Sequence, residues 1–436
     1  MLTNLRDIFQ IPELKRKILF TLGLLVIYRV GGQIITPGID PAALKIFFEQ
    51  QQGTIFGLYN LFAGGNLARA TIFALGIMPY ISASIILQLL QAVVPYLEKL
   101  AKEGEEGRKK ITQYTRYGTV VLSAIQAVGI AFFLENLNQG QAVPAVPNPG
   151  WMFRFTTVLT LTSGTVFVMW LGEQITERGI GNGISLIITI GIIARYPGDF
   201  LNTIRAFRVG QLTIAGGLVL LGMMLVVIGG IIFITQGQRR IPVQYAKRIV
   251  GRKVYGGQGT HIPLRVNTAG VIPIIFAQSI VMFPPTIANL FQGSDLAQGI
   301  AYLFSPGTAV YIIVYSLAIV FFTYFYTAII LNPVDLADNM KRSGGFIPGI
   351  RPGKRTAEFI DRVLTRITLP GAFFLAFIAI LPDILIRKFN VPFYFGGTGL
   401  LIVVGVTLDT LQQIESHLLM RHYDGFMKKG KMRGRR

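Results

Sequence analysis

Apolar residues in this chain fall in long runs rather than in short alternations. Windows at 18–35, 70–94, 118–134, 155–172, 184–196, 212–234, 269–290, 309–331, 367–386 and 396–415 are mostly apolar. Each is read as a helix crossing about 30 Å of hydrocarbon, so the pattern predicts ten spans. Several are interrupted. The fifth follows Gly179-Ile180-Gly181-Asn182-Gly183, the seventh carries Pro273 and Pro284-Pro285, and the tenth opens at Gly396-Gly397. Broken spans in both halves of a chain point to a central substrate path. The stretch from Gly53 to Pro95 is the least like an ordinary membrane segment. A short apolar piece, Thr54 to Phe62, meets Ala63-Gly64-Gly65 and then a near-continuous apolar run from Ala70 to Val94. Lipid tolerates backbone outside helices only where protein or a water-filled cavity shelters it, so this stretch is expected to border a cavity. Ile77 and Ile81, four apart, share one helical face, while Ser82, Ser84 and Gln88 lie on others.

Composition agrees with a polytopic membrane protein: 52% of the 436 residues are hydrophobic and 14% charged, against about 25% charged in an ordinary soluble domain. Met1 to Glu13 is polar and mixed. The apolar run behind it is too long for a leader and lacks a small-residue cleavage site, so the first span reads as retained. With no cysteine, and with His261, His417 and His422 outside the apolar runs, no metal site or cofactor is expected. Net charge is +20, and the basic residues concentrate in alternate connections, which places both termini in the cytoplasm. Ten spans then divide as five and five, and a tandem five-span unit comes out inverted, although no internal sequence repeat is visible.

Three of the inside segments are larger than a connection requires. Glu98 to Arg116 mixes both signs. Gln236 to Asn267 is basic and alternating (Arg239-Arg240-Ile241-Pro242-Val243-Gln244-Tyr245) and reads as a β-hairpin or finger. Asn332 to Arg366 centres on a turn-rich tip, Phe346-Ile347-Pro348-Gly349-Ile350-Arg351-Pro352-Gly353-Lys354-Arg355. Two readings stand for these loops: they hold topology and touch anionic lipid, or they dock an acidic partner such as ribosomal RNA or a motor protein.

No catalytic constellation is present. Gly349 to Arg355 resembles a phosphate loop only superficially, because Pro348 stands for the first glycine and Arg355 for the Ser or Thr that holds magnesium. The glycines at 179, 181 and 183 lack dinucleotide-fingerprint spacing, and neither His-Glu-x-x-His nor Gly-x-Ser-x-Gly occurs. The chain therefore reads as a non-enzyme. Asp409 in the last span leaves an alternative open, an ion-coupled secondary transporter with that residue as coupling carboxylate. Among Thr407, Thr410, Gln412 and Gln413 near the cytoplasmic end, the same carboxylate also fits a structural role, and Arg29 can snorkel at the outer interface.

Four long stretches carry a family resemblance: Phe73 to Ser84 (FALGIMPYISAS), Gly107 to Tyr117 (GRKKITQYTRY), Trp170 to Gly183 (WLGEQITERGIGNG) and Val391 to Thr398 (VPFYFGGT). With them the chain resembles, end to end, the SecY/translocon alpha-subunit family, the channel subunits of bacterial protein export. The resemblance implies an all-α membrane protein in which residues 1–196 (spans one to five) and 197–436 (spans six to ten, loops 236–267 and 332–366, a basic tail) form a clamshell around a pore. It implies a passive channel for unfolded secretory polypeptides that also releases signal or transmembrane helices sideways into lipid. The pore ring falls on Ile77, Ile81, Ile184, Ile188, Ile275 and Ile402; on residue type alone, each is equally ordinary helix packing or lipid contact. The plug falls at about 54–66, with Ile55, Phe56, Leu58, Tyr59, Leu61, Phe62, Gly64 and Gly65. The lateral gate falls on Ser82, Gln88, Asn267 and Phe283, where plain interhelical hydrogen bonding by Gln88 and Asn267 is the other reading. Arg252, Lys253 and Arg351 match positions associated with the ATPase SecA, which would supply ATP hydrolysis, and with the ribosome. Lys253 stands where many relatives carry arginine, which keeps the charge and loses the planar fork. SecE, SecG, secretory preproteins with their signal sequences, and anionic lipid are the remaining implied partners. The implied location is the bacterial cytoplasmic (inner) membrane.

Overall fold

The structure, a computed structural model, describes residues 11–50, 59–60, 63–137, 144–210, 213–245, 248–250, 253–255, 260–288, 299–300, 302–389 and 397–429. The described chain is predominantly helical. Six of its helices are long and apolar enough to cross a membrane, or seven if Met78–Val93 and Pro95–Lys102, bent by 99° at their junction, form one span. The expected windows at 18–35, 269–290 and 396–415 fall on helices outside that count. The first carries Glu13, Lys15, Arg16, Lys17 and Arg29, and the second, among the described residues, is a shorter apolar helix over Ile272–Met282 that includes Gln278 and Ser279. The chain divides into two compact units.

The first unit takes in Met1–Ala206, Ser279–Thr308 and Val406–Arg436. Its chain order is α1 (Pro12–Gly31), α2 (Pro41–Gln50), α3 (Met78–Val93), α4 (Pro95–Lys102), α5 (Glu105–Leu137), α6 (Trp151–Arg178), α7 (Gly183–Ile193) and α8 (Tyr196–Arg208). The backbone of this unit is the antiparallel couple α5 and α6. Thr115, Thr119, Ser123, Ala127 and Ala131 recur every four residues on α5 and are all buried, a stripe of small side chains that lets helices approach closely. The hydroxyls of Thr115, Thr119 and Ser123 donate to backbone carbonyls of their own helix at 2.7–3.0 Å, so burying them leaves no donor unmet. An ion pair fastens each end of the couple. Arg116 donates to both oxygens of Glu173 at 3.0 and 2.8 Å. Glu135 accepts from Arg154 at 2.9 Å and from the Gly150 amide at 3.1 Å. Each pair joins residues far apart in sequence and fixes the register of the two helices.

The run expected as one span over 70–94 is helical only from Met78. Ala70 to Ile77 is instead irregular and, apart from half-buried Ile72, buried, with Ala70 at φ 48° and Gly76 at φ 58°. Thr36 and Ile72 amides donate to the carbonyls of Ala70 and Ile34 at 2.8 and 3.0 Å, and Ile35 bridges Thr71. The chain here trades helical hydrogen bonds for a short antiparallel contact with the segment after α1. Non-helical backbone is tolerated at membrane depth only where it is sheltered in this way. The Ile72 carbonyl lies against Gly164 so closely that any Cβ there would collide with it. Phe73 stacks between Tyr28 and Phe167, with centroids 5.7 and 6.0 Å away.

The second unit comprises Phe207–Gln278 and Ala309–Gly405. It holds α9 (Ile214–Gln236), β1 (Gln238–Tyr245), β2 (Arg248–Val250), β3 (Lys253–Tyr255), β4 (Thr260–Arg265), α10, which begins at Ile272, α11 (Ala309–Ile330), α12 (Pro333–Arg342), β5 (Gly345–Phe346), α13 (Lys354–Phe389) and the start of α14 (Gly397–Lys429). The finger expected in 236–267 is present. β1 pairs antiparallel with β4, Ile241 opposite Ile262, and β2 pairs with β3. The other edge of β1 takes β5, with Gln244 opposite Phe346 and Tyr245 opposite Gly345. The two basic loops thus share one three-stranded sheet. Its inner face and the adjoining helices bury Ile241, Val243, Leu264, Met340, Ile347, Ile360, Val363 and Leu364, a small soluble-type core attached to an apolar bundle.

Candidate functional site

Four of the six isoleucines singled out in the sequence lie in the first unit, one helical turn apart in pairs on α3 and α7. Ile77 is the N-cap residue of α3 and its carbonyl receives the Ile81 amide at 3.1 Å; both side chains are buried. On α7, Ile188 is buried and Ile184 half-buried.

The start of α7 is set by the glycine loop before it, whose amides are met by side chains from distant parts of the chain. Ile180 N–H donates to Thr21 Oγ1 on α1 at 3.0 Å, Gly181 N–H to Gln413 Oε1 at 3.0 Å, and Gly183 N–H to Thr176 Oγ1 at 2.9 Å. Asn182 caps the helix by accepting from the amides of Ile184 and Ser185 at 3.1 and 3.2 Å. Glycine is needed for fit as well as for flexibility. Gly181 has φ 84°, and a Cβ on Gly183 would collide with the Gly172 carbonyl of α6. The loop thereby fixes where Ile184 and Ile188 stand.

Of the residues assigned to the plug, Tyr59, Gly64 and Gly65 are described, while Ile55, Phe56, Leu58, Leu61 and Phe62 lie outside the described residues. Tyr59 packs on the core cluster beside Ala63, and its hydroxyl stands 3.5 Å from Gln126 Oε1. Gly64 and Gly65 turn the chain with φ 68° and 83°. Asn66, buried, donates through Nδ2 to the Tyr28 hydroxyl at 3.3 Å.

Ile275 and Ile402 lie in the second unit and both are buried. Val271, just before the helix of Ile275, lies against Gly405 on the helix of Ile402, where a Cβ would collide with the Val271 side chain. Ser82 is half-buried, and Gln88 donates to Ser84 Oγ on its own helix at 3.0 Å. Asn267 is buried and its Oδ1 finds no hydrogen-bond partner among the described residues. Phe283 is in the helix that runs from Ile272, and its side chain is outside the described set. Lys253 opens β3, opposite Val250, while Arg252 falls outside the described residues. Arg351 is exposed at the turn-rich tip, between Gly349 at φ 80° and Gly353 at φ 104°. Among the described residues there is no cluster of His, Cys, Asp and Glu able to hold a metal ion.

Sequence reasoning missed the partners of these residues. Thr21, Gln413, Tyr28 and Asn66 are ordinary polar positions until the fold brings them beside backbone amides and glycines. The pairing of Arg116 with Glu173 and of Arg154 with Glu135 carried only the weak signal of isolated charges at span ends.

A family model, SecY, matches residues 71–411. The protein translocase subunit SecY of Escherichia coli K12 is 51% identical over 425 residues, covering 97% of this chain and 96% of that protein. The fold is similar to that of a SecY protein whose plug domain is described as stabilising the closed state of the translocation channel and maintaining a membrane seal (TM-score 0.63, 20% identity, 92% of each chain). It is also similar to Sec61 in the canine ribosome–channel complex from the endoplasmic reticulum (TM-score 0.60, 18% identity, 92% of each chain). With a family model matching residues 71–411 and half of all positions identical across nearly the full length of a curated relative, the chain belongs to the SecY family.

Proposed function

We infer that this multi-pass membrane protein is the protein-conducting channel of a translocase, passing unfolded polypeptides rather than catalysing a reaction. The observation that carries this is the 51% identity to a translocase subunit over 97% of the chain. The physical arrangement supports it: the isoleucines at 77, 81, 188, 275 and 402 are buried, and those at 188 and 402 lie in helices whose Gly183 and Gly405 have no room for a side chain. Branched aliphatic groups offer nothing to a hydrated ion, so a narrow collar of them dewets and resists leakage, yet deforms around a passing chain without gripping particular side chains.

The finer reading follows the family. Ten spans form two inverted halves, 1–196 and 197–436, as a clamshell. Ile77, Ile81, Ile184, Ile188, Ile275 and Ile402 make the waist, and the segment at about 54–66 plugs the outer funnel. Ser82, Gln88, Asn267 and Phe283 border a lateral seam through which signal helices reach lipid. The unmet Oδ1 of Asn267 supports such a weak seam, since a buried acceptor without a partner costs free energy that water entry relieves. Arg252, Lys253 and Arg351 are docking charges for SecA and the ribosome, a reading supported by the pairing of β1 with both β4 and β5, which joins the bases of the two basic loops in one sheet. SecE and SecG are membrane partners, anionic lipid meets the basic loops, and the chain resides in the bacterial inner membrane with both termini cytoplasmic.

Reconstitution tests the function. In vesicles holding this chain with SecE, and with SecA outside, a secretory precursor becomes protease-protected on addition of ATP. A precursor that stays fully digestible, while control translocase vesicles protect it, would refute the reading.

A further inference from the structure

The face of α7 that carries Ile184 and Ile188 continues, at the next turn, to Gly191. These positions are spaced i, i+4 and i+7 and so lie in one stripe along the helix. Gly191 is buried, and what covers it is the turn at Gly64. A Cβ built on Gly191 would stand 3.0 Å from Gly64 Cα, and one built on Gly64 would stand 2.9 Å from Gly191 Cα and 3.2 Å from the Tyr28 hydroxyl. Backbone here touches backbone, with no side chain between.

The rest of the turn is braced toward the same place. Gly65 N–H donates to the Asn60 carbonyl at 2.8 Å, Ala68 N–H to Asn60 Oδ1 at 3.0 Å, and Asn66 N–H to the Ala63 carbonyl at 3.3 Å. Asn66 then reaches α1 at two points. Its Nδ2 donates to the Tyr28 hydroxyl at 3.3 Å, and its Oδ1 lies so near Gly32 that a Cβ there would stand 2.7 Å away. Tyr28 itself is held by stacking on Phe73. The turn is therefore located by three contacts, two on α1 and one on α7, each of which depends on a small residue or on one hydroxyl.

We propose that Gly64 on Gly191, with Tyr28 and Asn66 beside them, is the seat that holds the end of the plug, Ala63 to Asn66, at rest, so that Gly191 sets the closed state of the channel although it touches neither ion nor substrate. The proposal rests on the reading of 54–66 as a plug and adds the positioning residues that fix it. Bare backbone contact makes the seat selective for one placement and easy to leave, because no hydrogen bond joins the two glycines.

The discriminating variant is Gly191→Ala. Alanine is a better helix former than glycine, so this change favours α7 itself, and a leak cannot be ascribed to a weakened helix. Channel complexes are placed in planar bilayers without precursor. Gly191→Ala should raise the resting ion current about tenfold, equivalent to about 1.4 kcal/mol of lost seating, with an undiminished thermal midpoint and with precursor export retained. Tyr28→Phe, which keeps the stacked ring and removes the hydroxyl that receives Asn66, should leak to a lesser degree. Gly23→Ala, whose added methyl would meet nothing within 4 Å on the same helix as Tyr28, should stay at the wild-type current. Wild-type currents in both Gly191→Ala and Tyr28→Phe would overturn the seat. So would a leak in Gly191→Ala accompanied by a lowered midpoint, because that marks a general packing defect. If the seat variants stay closed while precursor still crosses the membrane, the seat alone is wrong; if no precursor crosses in any form, the channel reading and the seat fall together.

Discussion

Replacing Ile81, Ile188, Ile275 and Ile402 together by serine raises the resting ion conductance of the reconstituted channel by at least about tenfold, the equivalent of about 1.4 kcal/mol off the barrier to hydration. All four side chains are buried, and burial has two explanations with opposite consequences. In an ordinary core, trimming an isoleucine to a small residue costs about 2–5 kcal/mol, and four such losses match or exceed the roughly 5–15 kcal/mol that keeps a domain folded. The variant would then fail to accumulate. At the collar of a passage that must part for polypeptide, the serine hydroxyls meet water instead of a closed core, and the protein folds but leaks. A folded variant with unchanged resting current would count against the collar.

The second large effect concerns docking. Arg351→Glu should abolish precursor import driven by SecA while leaving the chain inserted and folded. Arg351 is exposed, and its backbone carbonyl, not its side chain, receives Thr356 Oγ1 at 2.9 Å, so reversing the charge leaves the turn intact. The core beneath it, with Ile347, Ile360 and Val363, is apolar and undisturbed. Losing one side of a desolvated charge pair costs about 2–5 kcal/mol, which is about thirtyfold or more in affinity, and reversal adds repulsion. Stimulation of ATP hydrolysis by precursor and vesicles reads the effect. Wild-type stimulation by Arg351→Glu vesicles would remove the residue from the docking surface.

Much of the architecture was legible in the chain because lipid imposes a simple rule. Apolar runs, their interruption by Gly179, Gly181 and Pro284, and the concentration of lysine and arginine in alternate loops can be read without a partner. The alternation Arg240-Ile241-Pro242-Val243 marked the finger for the same reason, since strand period is local. Contacts between distant positions were not legible. Ala70 to Ile77 has the composition of a helix but is irregular, because the carbonyls and amides near Ile34 and Thr36 compete for its backbone. β5 is two residues long and exists only through β1. Gly64, Gly183 and Gly191 look alike in sequence, although one has a left-handed φ, one meets a carbonyl and one meets another glycine. The six isoleucines carried no signal of their own among so many aliphatic residues; the family motifs around them supplied it.

The most direct measurement places a photoreactive amino acid at Ile81, Ile188, Ile275 or Ile402, one at a time, in channels loaded with a precursor stalled midway across the membrane. The account predicts that irradiation joins the precursor to the channel at each of the four positions, and that a probe at Phe233, which is exposed on α9, gives no such adduct. Stalled precursor that is demonstrably inserted yet forms no adduct with any of the four would contradict a passage lined by these side chains.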